Sequence, residues 1–274
     1  MSNNLKNIKR QLTVLSILLI GIFVFSMIST NFYEDLSVNT ASQALSNKKI
    51  GWGIKRTDNH EQPDLGKQNE ELINKYNGMC LGNKDQKYVY LTFDLGYEAG
   101  YTNAILDALK ENNVNVTFFI TAHYVNTASD ILQRMINEGH IVGNHTVNHK
   151  SMPDLSDEEL KKEVMTLHQT IYEKYGYEMK YLRPPKGEYS ERTLQLTDSL
   201  GYKSVMWSFA YVDWDEKKQP SREDAMKKII DNLHNGEIML LHATSKTNSE
   251  IMNDMIKKVK DEGYEFRSID DFVQ

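Results

Sequence analysis

The chain has 274 residues, 40% of them hydrophobic, with 32 Lys and Arg against 38 Asp and Glu, and Cys80 as its single cysteine. That length allows one core of about 200 residues plus a leader and requires no second domain. The acidic balance argues against nucleic acid as a partner, and one cysteine excludes both an intrachain disulfide and a cysteine-based metal site.

The amino terminus carries Lys6, Lys9 and Arg10 without an acid, and Gln11 to Tyr33 then run without any charge. A spanning helix needs roughly 20 mostly apolar residues, so residues 1–33 read as a signal peptide or a transmembrane anchor. The positive flank places the amino terminus in the cytoplasm and the rest outside, and the lack of a clear A-x-A site favours a retained anchor. Setting aside the three leader bases leaves 29 basic against 38 acidic residues, a net charge of about −9. Residues 34–50 are polar and aperiodic and read as a tether. Residues 51–86, which hold Trp52 and the helical stretch from Asp64 to Asn77, are too aromatic for a linker and read as an arm packed on the main domain.

From residue 87 to 274 strand-like and helix-like runs alternate. Tyr88 to Phe93 has the β-branched and aromatic content of a buried strand, and Asp94-Leu95-Gly96 is expected to break it. Helices are predicted over Asn103 to Asn112, Ala128 to Gly139, Asp157 to Tyr175, Ser190 to Leu200, Arg222 to Leu233 and Ser249 to Glu262. Strands are predicted at Val116 to Thr121, Ile141 to Gly143, Tyr181 to Arg183, Ser204 to Trp207, Ile238 to Leu241 and Phe266 to Ser268. Such alternation implies an α/β fold with a parallel sheet, and six or seven units point to a (β/α) barrel rather than an open sheet.

Five polar clusters fall at predicted strand ends. Asp94 sits at the mouth of the first strand, where it either serves chemistry or caps the following helix. His145 and His149 lie four apart, so that on one helical turn both imidazoles reach a single cation; Thr146 after the first histidine excludes the HExxH pattern of metalloproteases. Arg183-Pro184-Pro185-Lys186-Gly187 forms a rigid turn that holds a guanidinium in place. Asp213-Trp214 and His242 complete the set, although a lone His242 is more often a satisfied core residue and Trp214 alone more often packing. Their joint placement at one sheet edge is the informative observation.

In that order the five clusters resemble the motifs of polysaccharide deacetylases, the NodB-homology family of carbohydrate esterases, over about Tyr88 to Val273. The chain is most similar to the delta-lactam-biosynthetic de-N-acetylases of spore-forming bacteria, through Trp52-Gly53-Ile54-Lys55-Arg56, Tyr97-Glu98-Ala99-Gly100-Tyr101-Thr102, Arg183-Pro184-Pro185 and Phe209-Ala210-Tyr211-Val212-Asp213-Trp214. The resemblance implies a distorted (β/α) barrel of the NodB-homology type. It implies de-N-acetylation of N-acetylmuramic acid in a peptidoglycan glycan strand, leading to muramic delta-lactam in spore cortex, by an extracytoplasmic monomer. N-acetylglucosamine deacetylation and non-catalytic glycan binding are the competing readings.

Carried onto these residues, the resemblance implies that Asp94 acts as general base on a water held at a divalent metal, taken as Zn²⁺, and that Arg183 holds it ionised. It implies that His145 and His149 bind the metal, that a backbone N–H near Lys186 supports the oxyanion, and that His242, oriented by Asp213, protonates the departing amine. Lys186, Trp214, Leu240 and Tyr97 contact substrate, with Trp214 and Leu240 lining the acetyl pocket. Two positions depart from the wider family. Leu95 stands where a metal-binding aspartate is usual, and Lys186 replaces a tyrosine, which fits pairing of its ammonium with the lactyl carboxylate of muramic acid.

Overall fold

The computed structural model describes residues 45–274, so the leader expected over 1–33 and residues 34–44 of the tether lie outside the described residues. Among the described residues no helix is long and apolar enough to cross a membrane. In chain order, β1 (Ile50–Gly51) and α1 (Lys67–Lys75) precede β2 (Tyr88–Leu95), α2 (Thr102–Glu111), β3 (Thr117–Ile120), α3 (Ala122–Thr127) and α4 (Ser129–Asn137). Next come β4 (Ile141–Asn144), α5 (Asp157–Tyr175), β5 (Tyr181–Leu182), β6 (Glu188–Tyr189), α6 (Glu191–Ser199) and β7 (Lys203–Ser204). The chain finishes with α7 (Arg222–Asp231), β8 (Glu237–His242), α8 (Lys246–Asp261) and β9 (Glu265–Phe266).

Seven strands form one parallel sheet in the order β7-β5-β4-β3-β2-β8, with β9 also paired to β2. Between β7 and β8, among the described residues, the chain makes only isolated bridges, Val205 with Met79 and Phe209 with Met239 of β8. Residues 205–209 therefore run from one edge strand to the other, and the sheet curls into the distorted barrel that the alternation led us to expect. The strand expected over Ser204 to Trp207 is correspondingly short, because its backbone leaves the ladder to cross this gap.

Side-chain alternation along β2 sorts its residues into two layers. Val89, Leu91, Phe93 and Leu95 are buried in the cluster that contains the helix residues Ile105, Leu109, Met255 and Val259. Tyr90 packs on the opposite side with Phe119, Val205 and Ile238, and Thr92 and Asp94 share that inward face. The strand does not break at Asp94 as expected. Asp94 and Leu95 keep their pairing to Phe119 and Ile120, and the chain turns only after Leu95.

Local signals account for most helix limits. α5 begins with a capping box between Ser156 and Glu159 and ends on the left-handed Gly176, and Leu160, Val164, Leu167 and Ile171 form its buried stripe. α8 starts three residues before the expected Ser249, since the Ser245 hydroxyl accepts the Asn248 N–H and caps the first turn. The six-residue α3 is too short for a periodic pattern and was not predicted.

The segment before β2 is tied to the barrel by backbone and core contacts. β1 pairs antiparallel with β6, Trp52 donates its backbone N–H to Gly187 O at 2.8 Å, and Gly82 donates to Gly236 O at 2.8 Å. Leu65, Ile73, Tyr76 and Cys80 are buried with Tyr189, Leu194 and Met206. Burial pushes the Cys80 thiol up to about 12, so it stays a small, inert apolar group. Ser46 and Asn47, within the stretch read as tether, already contact Arg192 and Ser190.

Candidate active site

Parallel strands bring their carboxyl ends to one rim, and the polar residues sit at or just past those ends. Asp94 is next to last in β2, His242 ends β8, and the two are direct partners in the β2–β8 ladder. His145 follows β4 and donates its backbone N–H to Ile120 O, while Arg183 follows β5 and donates to Asn144 O. Above them opens a cavity of about 920 Å³ whose walls include Asp94, His145, His149, Lys186, Trp214 and His242. Leu240, Tyr97 and the unpredicted Thr121, His123, Trp207 and Tyr211 also line it.

Arg183 is fully buried beneath this cavity. Its Nη1 donates to Asp94 Oδ1 at 2.8 Å and to Thr92 Oγ1 at 2.9 Å, Nε donates to Val205 O at 3.1 Å and Nη2 to Met206 O at 3.3 Å. The guanidinium lies 4.2 Å from the Phe119 ring centre. Gly143 permits that stacking, because a Cβ there would fall 2.4 Å from Phe119 Cδ1. Burial alone would raise the Asp94 pKa, but the charge of Arg183 outweighs it and holds the value below the usual 3.8. Asp94 is thus an ionised acceptor with one oxygen on Arg183 and the other facing the cavity; it caps no helix, since α2 has no side-chain cap.

His145 and His149 do come together, with ring centres 4.6 Å apart, but not on the helical turn expected from their spacing. The chain bends instead through left-handed conformations at Thr146 (φ 65°) and His149 (φ 53°), because the three residues between the histidines must also return the backbone from the strand mouth. His145 Nδ1 lies 2.8 Å from Arg183 O. A carbonyl can only accept, so Nδ1 carries the proton and Nε2 keeps its lone pair, 3.5 Å from Asp94 Oδ2. Burial, then the neighbouring His145, lowers the His149 pKa to about 4, which leaves that imidazole neutral at pH 7. Two neutral imidazoles beside a carboxylate suit a divalent cation with open positions. Leu95 gives no third ligand: its side chain is fully buried on the helix side of β2. Among the described residues no group of three or more His, Cys, Asp and Glu is placed to hold a metal.

Asp213 is fully buried and binds His242 twice, accepting from Nδ1 at 2.7 Å and from the backbone N–H at 2.8 Å. Asn248 Nδ2 donates to the same carboxylate at 2.7 Å. This fixes the Nδ1-protonated form and turns Nε2 to the cavity. Burial works to lower the His242 pKa, but the hydrogen bond and charge of Asp213 outweigh it and raise the value above 6.5. The carboxylate and the imidazole occupy adjacent strands, the one with its pKa lowered and the other with its pKa raised.

Lys186 and Gly187 are both left-handed, with φ of 60° and 64°, and the turn is closed by Gly187 N–H to Pro184 O at 3.1 Å. Leu240 is buried at the cavity floor, whereas Trp214 and Tyr97 stand 57% and 43% exposed at its mouth. The Tyr97 hydroxyl donates to Glu216, a link between the two rim loops that the sequence did not announce. Glu98 holds one of those loops, accepting from Gly100 N–H at 2.6 Å and from the Thr102 and Tyr124 hydroxyls.

A family model described as polysaccharide deacetylase matches residues 81–205. The chain is 46% identical over 233 residues, 85% of its length and 88% of the other, to an uncharacterized 30.6 kDa protein in the fumA 3′ region of Geobacillus stearothermophilus. It is 42% identical over 85% of its length to the peptidoglycan-N-acetylmuramic acid deacetylase PdaA of Bacillus subtilis, and spans 89% of that protein. The structure of Bacillus subtilis PdaA, a family 4 carbohydrate esterase, superposes with a TM-score of 0.81 at 43% identity, covering 83% of this chain and 98% of that one.

Proposed function

The chain belongs to the polysaccharide deacetylase family, and we propose that it removes the N-acetyl group from N-acetylmuramic acid residues of peptidoglycan. The observation that carries this reading is the in-register pairing of Asp94 with His242 above Arg183, in a cavity that also holds Lys186. A divalent cation held by His145 and His149, Zn²⁺ by the chemistry of the donors, would polarise the acetamide carbonyl and the attacking water. Asp94, kept ionised by Arg183, accepts a proton from that water as its oxygen attacks the carbonyl carbon. The backbone N–H near Lys186 supports the developing oxyanion. As the C–N bond breaks, His242 Nε2 gives its proton to the amine nitrogen, and Asp213 keeps that ring in position. Acetate and a free amine leave.

Leu240 and Trp214 border the acetyl group, and Tyr97 offers an aromatic face at the mouth. Lys186 pairs with the lactyl carboxylate, a group that N-acetylglucosamine lacks. A free amine beside that carboxylate is what closure to a muramic delta-lactam requires, which supports a role in spore cortex. The basic flank and uncharged run of residues 1–33 support action outside the cytoplasm, attached to the membrane or secreted, with 51–86 bracing a catalytic domain of 87–274.

Acetate release from peptide-stripped peptidoglycan, compared with chitin oligomers, tests the substrate. The wild type is expected to prefer peptidoglycan, and Lys186→Ala to lose activity on muramic acid selectively. Equal losses on both substrates would overturn the role of Lys186. The His242 pair yields a pH prediction. The acid form of His242 is required, so activity persists below its raised pKa and falls as pH climbs through it. Asp213→Asn removes the cause of the raise, so the alkaline limb of kcat/KM should move to lower pH, with kcat reduced by at least about 10²-fold. An unmoved limb would show that another group sets it.

A further inference from the structure

The bend from His145 to His149 contains two non-glycine residues in the left-handed region, a conformation that crowds the Cβ against the following carbonyl. Something must hold it. Asn144, fully buried at the end of β4, accepts the Thr146 N–H on Oδ1 at 2.9 Å. The next two N–H groups go to one residue of α5: Val147 donates to Glu163 O at 3.1 Å, and Asn148 donates to Glu163 Oε2 at 2.7 Å. The Asn148 side-chain amide donates to the second oxygen, Glu163 Oε1, also at 2.7 Å.

Glu163 occupies a position that α5 would otherwise fill with an apolar side chain. It lies between Leu160 and Leu167 on the buried face and is 6% exposed. Among the described residues its one cationic neighbour, Lys150 Nζ, is 3.7 Å away and largely exposed. A carboxylate taken into a core face and turned onto a loop backbone is costly unless its oxygens are occupied, and here the loop occupies both. The site has two imidazole ligands, so its affinity depends on how firmly those two rings are held, more than it would with three.

We propose that Glu163 is a positioning residue for the His145–His149 pair: its carboxylate grips Asn148 and fixes the left-handed backbone that directs both rings into the cavity. This rests on the reading of the two histidines as metal ligands. Glutamine is nearly isosteric but has one acceptor oxygen, so Glu163→Gln sets an NH₂ group against one of the two Asn148 donors.

The test is calorimetric titration of the purified full chain with Zn²⁺, together with Co²⁺ absorption spectra, for wild type, Glu163→Gln, Asn148→Ala, Lys150→Ala and His149→Ala. Glu163→Gln is expected to lower Zn²⁺ affinity by about 10–100-fold and to change the Co²⁺ spectrum. Asn148→Ala should give a smaller loss, and Lys150→Ala none. Zn²⁺ binding by the wild type that Glu163→Gln leaves unchanged overturns this inference alone. No Zn²⁺ binding by the wild type, or binding that His149→Ala leaves intact, overturns the metal reading and this inference with it. If Glu163→Gln does not fold, Asn148→Ala decides: affinity equal to wild type counts against the grip, and a loss supports it.

Discussion

Replacing Asp94 by asparagine is expected to reduce kcat by about 10²–10⁴-fold, the range associated with loss of a positioned general acid or base. Asparagine matches the carboxylate in shape, so Arg183 and Thr92 retain a neighbour of the right size, but it cannot take a proton from water at neutral pH. The carboxylate is ionised under ordinary conditions because Arg183 holds its pKa below 3.8, and the oxygen not bound to Arg183 lies toward His145 and the cavity. The check is initial-rate acetate release, with circular dichroism to establish that the variant is folded at the assay temperature. Activity within tenfold of wild type in a folded variant would remove Asp94 from the proton-transfer step.

Loss of Arg183 should act mainly on stability. Removing one partner of a buried ion pair leaves an uncompensated charge and costs roughly 3–5 kcal/mol. Arg183→Met keeps much of the side-chain length but strands the Asp94 carboxylate and the carbonyls of Val205 and Met206, which the guanidinium now serves. Lysine is a poor rescue, since a single ammonium cannot reproduce the fork. Urea denaturation of the folded domain should show the loss as a lower midpoint at unchanged slope. The double variant Asp94→Asn with Arg183→Met should be less destabilised than the two single effects summed. A single-variant cost below about 1 kcal/mol would place the pair outside the buried class. The sign with pH follows from the lowered Asp94 pKa: the pair stabilises the fold above the unfolded carboxyl value, and that stability is lost as pH falls below 3.8 through the folded value.

The strand-mouth placement of the polar cluster was legible in the sequence because each of its residues follows an apolar β-rich run. Asp94, His145, Arg183 and His242 could be placed from that pattern, and the barrel from the alternation. Other features depend on information that a linear pattern does not carry. The histidine spacing of four suggested a helical turn, yet the backbone reverses through Thr146 and His149, where local hydrogen bonds to Asn144 and Glu163 override propensity. Glu163 did leave a trace, as a lone acid within the apolar stripe of α5, a position that calls for a buried partner. His123 left none, because it sits on the short α3 that no periodic pattern announces, and the facing of Tyr211 shows only once its loop is folded. Leu95 was readable as a missing ligand but not as a core residue, since that depends on β2 running two residues past the expected break.

Asp94 and His242 are cross-strand partners, so the distance between the proposed proton acceptor and donor is a property of the sheet rather than of either side chain. Neighbouring strands keep a spacing of about 4.8 Å, and a slip of one residue would turn a side chain to the opposite face. On the proposed mechanism turnover therefore depends on strand alignment: a β8 slipped by one residue would send His242 toward the helices. Such a slip would be silent in secondary-structure content, which makes acetate release a sensitive reporter of correct β2–β8 alignment during refolding.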